Sequence, residues 1–172
     1  QETYNLNPCS EKATFIDFDA HIEDSVIAAF NKIKTLTNGY VHSIINLVGS
    51  GNKPAPITEL ATSSFDEVLS RNLRSAFLIS KHGIPLLKKS GCGSLIHTSS
   101  GVAARGVPGV GSFSASKGGL VSLSKTIAVE NGPDVRCNVI APGGVMELVD
   151  ICREAGVPPG VVNLLSGDPA SI

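Results

Sequence analysis

The sequence is short of several things, and each shortage excludes a class of protein. It has four cysteines (Cys9, Cys92, Cys137 and Cys152) and no two of them form a C-x-x-C pair, which argues against a thiolate metal site or a redox couple. A reduced, cytoplasmic protein without a metal is the expectation. No apolar run is long enough to cross a bilayer, so no membrane is expected. Gln1 to Asp19 lacks the basic start and apolar stretch of a signal peptide. Charge of one sign is also scarce. The formal net charge is −1, and Lys88-Lys89 is only a short basic pair at a helix end. Phosphate binding needs clustered Lys and Arg, so no nucleic-acid partner is expected. There are only two tyrosines, Tyr4 and Tyr40, which limits any chemistry that needs a phenol.

What is present suits one domain. The chain has 172 residues, of which 42% are apolar. That length can bury a core, and a slightly positive mean hydropathy excludes a disordered chain. Residues 1–13 are polar, carry no clear period and read as a ragged N-terminal segment. Thr14 to Phe18 reads as a short strand. Asp19 can cap the next helix, where Ile22, Val26, Phe30 and Ile33 recur at helical spacing. Asn38-Gly39 ends that helix. Val41 to Val48 reads as an apolar strand covered on both faces. Ser64-Phe65-Asp66-Glu67 reads as a capping box. It opens a long helix with Phe65, Val68, Leu69, Leu73, Ala76 and Phe77 on one side, ending near Pro85 or a little beyond. Leu95 to Thr98 is a strand, Ser112 to Asn131 a helix, and Val135 to Ala141 a strand stopped by Pro142-Gly143-Gly144. A last helix covers about Met146 to Ala155, and Val161 to Leu165 can form a further strand.

Strands alternating with helices predict an α/β chain with a mainly parallel, Rossmann-type doubly wound sheet and helices on both faces. Ligands in such sheets lie beyond the carboxyl ends of the strands. Three polar or glycine-rich turns fall there: Asn46 to Gly49, Ser99-Ser100, and Pro142 to Val145. Between them, Phe113 and Lys117 stand four residues apart on one helix face. Ser114-Ala115-Ser116-Lys117 also fits an S-x-x-K acylation motif, but no Lys-Thr-Gly or Ser-Asp-Asn accompanies it. His42 and His97 lie inside strand runs and read as structural, as do the cysteines. Gly118-Gly119 inside a helix reads as close packing on a neighbour.

These residues together resemble the short-chain dehydrogenase/reductase family over about residues 14–145. Asn72 in Arg71-Asn72-Leu73, Ser100, and Lys117 match that family's site. The gap of thirteen from Ser100 to Phe113 is its serine-to-tyrosine spacing. Asn46-Leu47-Val48-Gly49 matches the family's Asn-Asn-Ala-Gly turn at its first and last positions. The resemblance implies that Asp17 and Phe18 contact the cofactor's adenine. It further implies that Asn46, Gly49 and Lys117 bind the cofactor, with Pro142, Gly143 and Val145 against its nicotinamide. Asn72, Ser100, the residue at 113 and Lys117 are then the catalytic set. It implies NAD or NADP as cofactor, a small alcohol or carbonyl as substrate, and a homo-oligomer.

Three departures qualify that reading. Phe113 stands where the family has its tyrosine, and it carries no hydroxyl to transfer a proton. No Gly-x-x-x-Gly-x-Gly loop precedes Asp17, so the expected fold is partial, lacking the first strand, the glycine-rich loop and the first helix, and cofactor binding loses its pyrophosphate cradle. After Val145, residues 147–168 resemble a segment of aldehyde dehydrogenases, so 146–172 are expected to form a helix–strand tail packed on the same domain. Two functions follow from the resemblance: an oxidoreductase impaired at position 113, or a non-catalytic remnant of the family.

Overall fold

The computed structural model describes residues 14–142 and the backbone of 164–165. Residues 143–163, which include Gly143, Val145 and the helix expected over Met146–Ala155, lie outside the described residues. Among the described residues ten elements follow one another, and four strands form one parallel sheet. Helix α1 spans Glu23–Leu36, strand β1 Ser43–Asn46 and helix α2 Thr62–Leu69. A π-helical turn at Ser70–Arg74 runs straight into helix α3, Ser75–Lys89. Strand β2 spans Gly93–Thr98. A 3-10 turn at Gly101–Ala103 then leads to helix α4, Gly111–Asn131, and strands β3, Val135–Ile140, and β4, Leu164–Leu165. The order across the sheet is β1-β2-β3-β4, with Ile45 beside Ile96, Ile96 beside Asn138, and Val139 beside Leu164.

Each crossover steps one strand in the same direction. Right-handed connections then put the crossover helices on one face. Burial agrees with this. Leu95, Val135, Cys137 and Val139 share one cluster with Leu87 of α3 and Val121, Ile127 and Ala128 of α4. Val26 and Phe30 of α1 pack on Leu78, Ile79 and Leu86 of α3 in a second cluster, joined by Ile44. The Rossmann-type parallel sheet is therefore as expected, but among the described residues the helices cover one of its faces and not both. Four serines of these helices, Ser75, Ser80, Ser116 and Ser124, are buried. All four hydroxyls return to carbonyls of their own helix, which removes the cost of an unpaired polar group.

Several local expectations are corrected. Thr14 to Phe18 is not a strand. It pairs with no ladder among the described residues, and Phe15 is 86% exposed. A run of strand-forming residues becomes a strand only where a neighbour takes its N–H and C=O groups. Asp19 does not cap α1, which opens four residues later with Ile22 as a cap lacking a side-chain bond; the Asp19 carboxylate pairs with His21 instead. The strand expected over Val41–Val48 is only Ser43–Asn46, because the chain then turns out of the ladder. It is covered on one face only, with Ile45 60% and Leu47 73% exposed. The capping box at Ser64–Glu67 is not used. α2 opens at Thr62 with extended Ala61 before it, and Phe65 N–H already bonds Ala61 C=O at 3.1 Å. Ser64 is therefore inside the helix. The π-turn inserts a residue and rotates the apolar face. Beyond it Ala76, Leu78 and Ile79 are buried while Phe77 points outward.

Of the glycine pair in α4, Gly119 meets a close neighbour within the chain. A Cβ on Gly119 would come within 2.9 Å of Leu73 in the π-turn. At the start of β2, Gly93 lies tight against the α3 backbone: a Cβ there would stand 2.7 Å from Leu87 Cβ and 3.0 Å from its carbonyl oxygen. Main chain cannot step aside as a flexible side chain can. Gly93→Ala is expected to destabilise the fold by roughly 1–3 kcal/mol, the usual cost of overpacking, measured by urea unfolding; an unchanged midpoint would contradict the packing.

Candidate functional site

The turns at the carboxyl ends of β1, β2 and β3 are tied to one another by side chains, and Asn72 makes the central tie. It is fully buried in the π-turn. Its Oδ1 accepts Ser50 N–H at 2.7 Å. Its Nδ2 donates to Ser50 C=O at 3.0 Å and to Ser116 Oγ at 2.9 Å. Ser116 passes its own hydrogen to Phe113 C=O at 2.8 Å. One amide thus fixes the loop after β1 to the second turn of α4, with both its hydrogens used.

Lys117 follows Ser116 into the interior. Only 4% of it is exposed. Its Nζ donates to Thr98 C=O, the last residue of β2, at 2.7 Å, and lies 5.6 Å from the centroid of the Phe113 ring. Among the described residues no carboxylate pairs with it. Burial alone lowers its pKa from the usual lysine value. Gly49 closes the space beside it. A Cβ there would stand 2.9 Å from Lys117 Nζ and 3.0 Å from Asn72 Oδ1, so the backbone passes where no larger residue fits.

The two serines after β2 have different duties. Ser99, buried, bonds Ile140 C=O through its N–H at 2.7 Å and Lys117 C=O through its hydroxyl at 3.0 Å. It joins β2, β3 and α4. Ser100 stands at the head of the 3-10 turn, half-buried, its Oγ at 3.5 Å from Val102 N–H. Gly101 N–H reaches Pro142 C=O at 3.2 Å, which brings the Ser100 turn against the end of β3. The turns at Gly49, Ser100 and Pro142 therefore converge around Asn72 and Lys117, as their strand-end positions predict. Phe113 is on the same face of α4 as Lys117, with its ring against the ammonium.

Asn46 is buried at the end of β1. Its Oδ1 takes Val48 N–H at 3.0 Å and its Nδ2 meets His97 Nδ1 at 3.1 Å. His97, fully buried in β2, reaches Ser80 Oγ of α3 through Nε2 at 3.1 Å. Its pKa is pushed down to about 4, first by burial and then by the Lys117 charge. The thiol of Cys137, deeper in the core, is pushed up to about 12 by burial, which leaves it unreactive.

Asp17 and Phe18 are not brought to this cluster. Asp17 is exposed, and Phe18 lines an apolar cavity of about 720 Å³ between α1 and β1. The loop residues that do approach it are Asp19, Ala20 and His21. With Val48, Gly49, Ser50 and Arg71 they line a polar cavity of about 330 Å³. Sequence reasoning missed these as site residues, and also Ser50 and Ser116. Their only signal was a small polar residue beside a matched one. Among the described residues no group of His, Cys, Asp or Glu could hold a metal, and no helix is long and apolar enough to cross a membrane.

Comparison with known proteins agrees with this geometry. A family model described as short chain dehydrogenase matches residues 2–153. It runs on into the stretch expected to resemble aldehyde dehydrogenases. Levodione reductase of Leifsonia aquatica is 30% identical over 124 residues, covering 72% of this chain and 46% of that protein. The 2-dehydro-3-deoxy-D-gluconate 5-dehydrogenase of Formosa agariphila is 33% identical over 133 residues, covering 77% of this chain and 50% of that protein. The crystal structure of levodione reductase superposes with a TM-score of 0.70 at 31% identity, over 73% of this chain and 49% of that one. A gluconate 5-dehydrogenase from Burkholderia cenocepacia, solved with NADP and tartrate, shares the fold with a TM-score of 0.69 at 21% identity, over 73% of this chain and 49% of that one. The chain spans about half the length of these relatives.

The His97 shift sets a pH dependence. An unfolded imidazole titrates near its ordinary value of 6.5, and the folded one near 4. Between these values the unfolded chain binds a proton that the folded chain refuses, so stability present above pH 6.5 is lost as pH falls toward 4. At about 1.4 kcal/mol per pH unit the loss reaches up to roughly 3 kcal/mol. Urea unfolding at pH 7 and pH 4.5 is expected to show it in the wild type and to show a shallower loss in His97→Gln; equal losses would contradict it.

Proposed function

The chain belongs to the short-chain dehydrogenase family, and from that premise we propose that it serves an NAD(P)-dependent oxidoreductase acting on a small alcohol or carbonyl, impaired by Phe113. The observation that carries this reading is the buried Lys117 ammonium. An ammonium taken out of water without a carboxylate is costly, and structural economy alone would replace it. Its carbonyl partner, the Phe113 ring and the tight passage at Gly49 hold it facing the strand-end cluster. A cation there suits the ribose hydroxyls of a nicotinamide cofactor and the pKa control of a neighbouring acid.

The donor set fits one end of such a cofactor. Lys117, Gly49 and Pro142 would hold the nicotinamide side, and the cavity lined by Asp19, Ala20 and Gly49 would take the adenosine side. Among the described residues nothing cradles a pyrophosphate. The one described helix near that cavity's loop opens with Glu23 and Asp24, whose charges disfavour phosphate at a helix N-terminus. A bound cofactor would supply hydride chemistry at a carbonyl carbon. The chain's own contribution is at the oxygen. Ser100 would polarise it, and position 113 would deliver the proton. Phenylalanine cannot do so. General acid–base catalysis contributes about 10²–10⁴-fold, and that is the deficit expected here.

A second reading has its own observation. Phe113 is not a mere gap, because its ring lies against the Lys117 charge and its carbonyl is part of the Asn72–Ser116 chain. A residue so built in suits a non-catalytic member of the family that retains the frame. Calorimetric titration of the protein with NADH and NADPH is expected to show binding at millimolar concentration or below; no heat at either cofactor would overturn the oxidoreductase reading. Phe113→Tyr is then expected to raise carbonyl reduction by about 10²-fold or more, and an unchanged rate in a folded variant that binds cofactor would favour the non-catalytic reading.

A further inference from the structure

We propose that His97 is a positioning residue that sets the turn Asn46–Ser50, and through it the floor of the cavity beside Gly49. The inference deepens the proposed function, on which the meaning of that cavity rests, but its geometry stands alone.

The argument is one of hydrogen-bond direction. Ser80 donates its single hydrogen to Ala76 C=O at 2.6 Å, so toward His97 its oxygen can only accept. Nε2 of His97 must therefore carry the hydrogen of the 3.1 Å contact with Ser80. At the other end, Asn46 Oδ1 already accepts Val48 N–H at 3.0 Å. The amide group facing the ring is thus Nδ2, a donor, and Nδ1 of His97 accepts it at 3.1 Å. The chain runs in one direction, from Val48 N–H through Asn46, His97 and Ser80 to Ala76 C=O, with no group left to reverse it. It crosses from the loop after β1, through β2, into α3.

Each alternative state of the ring breaks the chain. The Nδ1–H tautomer, or the imidazolium, would set two donors face to face at Asn46. The amide would have to turn over, presenting Oδ1 to the ring and NH₂ to Val48 N–H. Val48 would lose its acceptor. Val48 lies one residue before Gly49, whose backbone passes within contact of Lys117 and Asn72, and Val48, Gly49 and Ser50 all line the 330 Å³ cavity. Ser50 is held from the far side by Asn72. The turn is pinned at both ends, and His97 supplies the pin on the β1 side. The charged group acting on the ring is Lys117, which favours the neutral form that the chain needs.

The test is NMR of ¹⁵N-labelled protein. Long-range ¹H–¹⁵N correlation at pH 7 is expected to show His97 with the hydrogen on Nε2 and a bare Nδ1; a hydrogen on Nδ1 overturns the proposal. In His97→Leu, exchange of the Val48 amide is expected to speed up about tenfold relative to the β3 amides, the loss of one ordinary hydrogen bond. His97→Gln, which can still accept from Asn46, is expected to recover most of it. Equal protection of Val48 in wild type and His97→Leu overturns the proposal. If His97→Leu does not fold, Ser80→Ala keeps the question open to measurement. Removing the acceptor of Nε2–H is expected to shift the tautomer balance toward Nδ1–H, and an unchanged balance overturns the directed chain. None of these readouts needs cofactor. A wild type that fails to bind NAD(P)H would sink the function proposed for the cavity while the tautomer and exchange results still decide the role of His97.

Discussion

The site depends on one buried amide. Asn72 uses both its hydrogens and its oxygen to join the loop after β1 to the second turn of α4. That is possible because it sits in a π-turn. An uninterrupted α-helix would have carried residue 72 past in another direction, and the extra residue of the π-turn aims it between the two elements. The same insertion explains why Phe77 lies outside and why Gly119 must be small against Leu73. A local departure from helix geometry, held by buried hydrogen bonds that would be costly to leave unmade, thus positions Ser50, Gly49 and Ser116 together.

Around that amide the chain buries a cation. Lys117 has a carbonyl and an aromatic face for partners and no carboxylate among the described residues. Burial first, and then the field of Lys117, keep the His97 ring neutral, one residue before the lysine's carbonyl partner in β2. Neutrality in turn lets His97 accept from Asn46. The cation on one face of the cluster and the polar chain on the other are therefore consistent with each other: charging His97 would cost both the Lys117 repulsion and the Asn46 bond. Phe113 fits into this arrangement as a ring for the ammonium, and what it lacks is a single oxygen at the place where the family resemblance puts proton transfer.

Much of this was legible in the sequence. The expected bounds of β2, β3 and α4 lie within two residues of those observed. Their carboxyl-end turns followed from parallel topology. Asn72 was legible only through the family resemblance, and Ser100 and Lys117 through that resemblance together with their places at a strand end and on a helix face. What was not legible depended on tertiary contacts. Thr14–Phe18 has a strand's aromatic and β-branched residues and no ladder to join among the described residues. Ser64–Glu67 has a capping box's residues inside a helix that had already begun. The resemblance implied Asp17 and Phe18 at the cofactor's adenine, yet it is Asp19, with Ala20 and His21, that lines the cavity beside Gly49. His97 read as a structural histidine, and so it is, but the direction of its hydrogen bonds could be seen only once Ser80 was placed beside it.

The claim that Asn72 organises the cluster is most directly tested by amide exchange at Ser50. This residue lies in a glycine-rich loop outside the described sheet, where amides ordinarily exchange through local opening. The account predicts that Ser50 N–H exchanges only through global unfolding, as slowly as Leu95 in the centre of β2, and that Asn72→Ala returns it to loop-like rates. Rapid exchange at Ser50 in the wild type would contradict it.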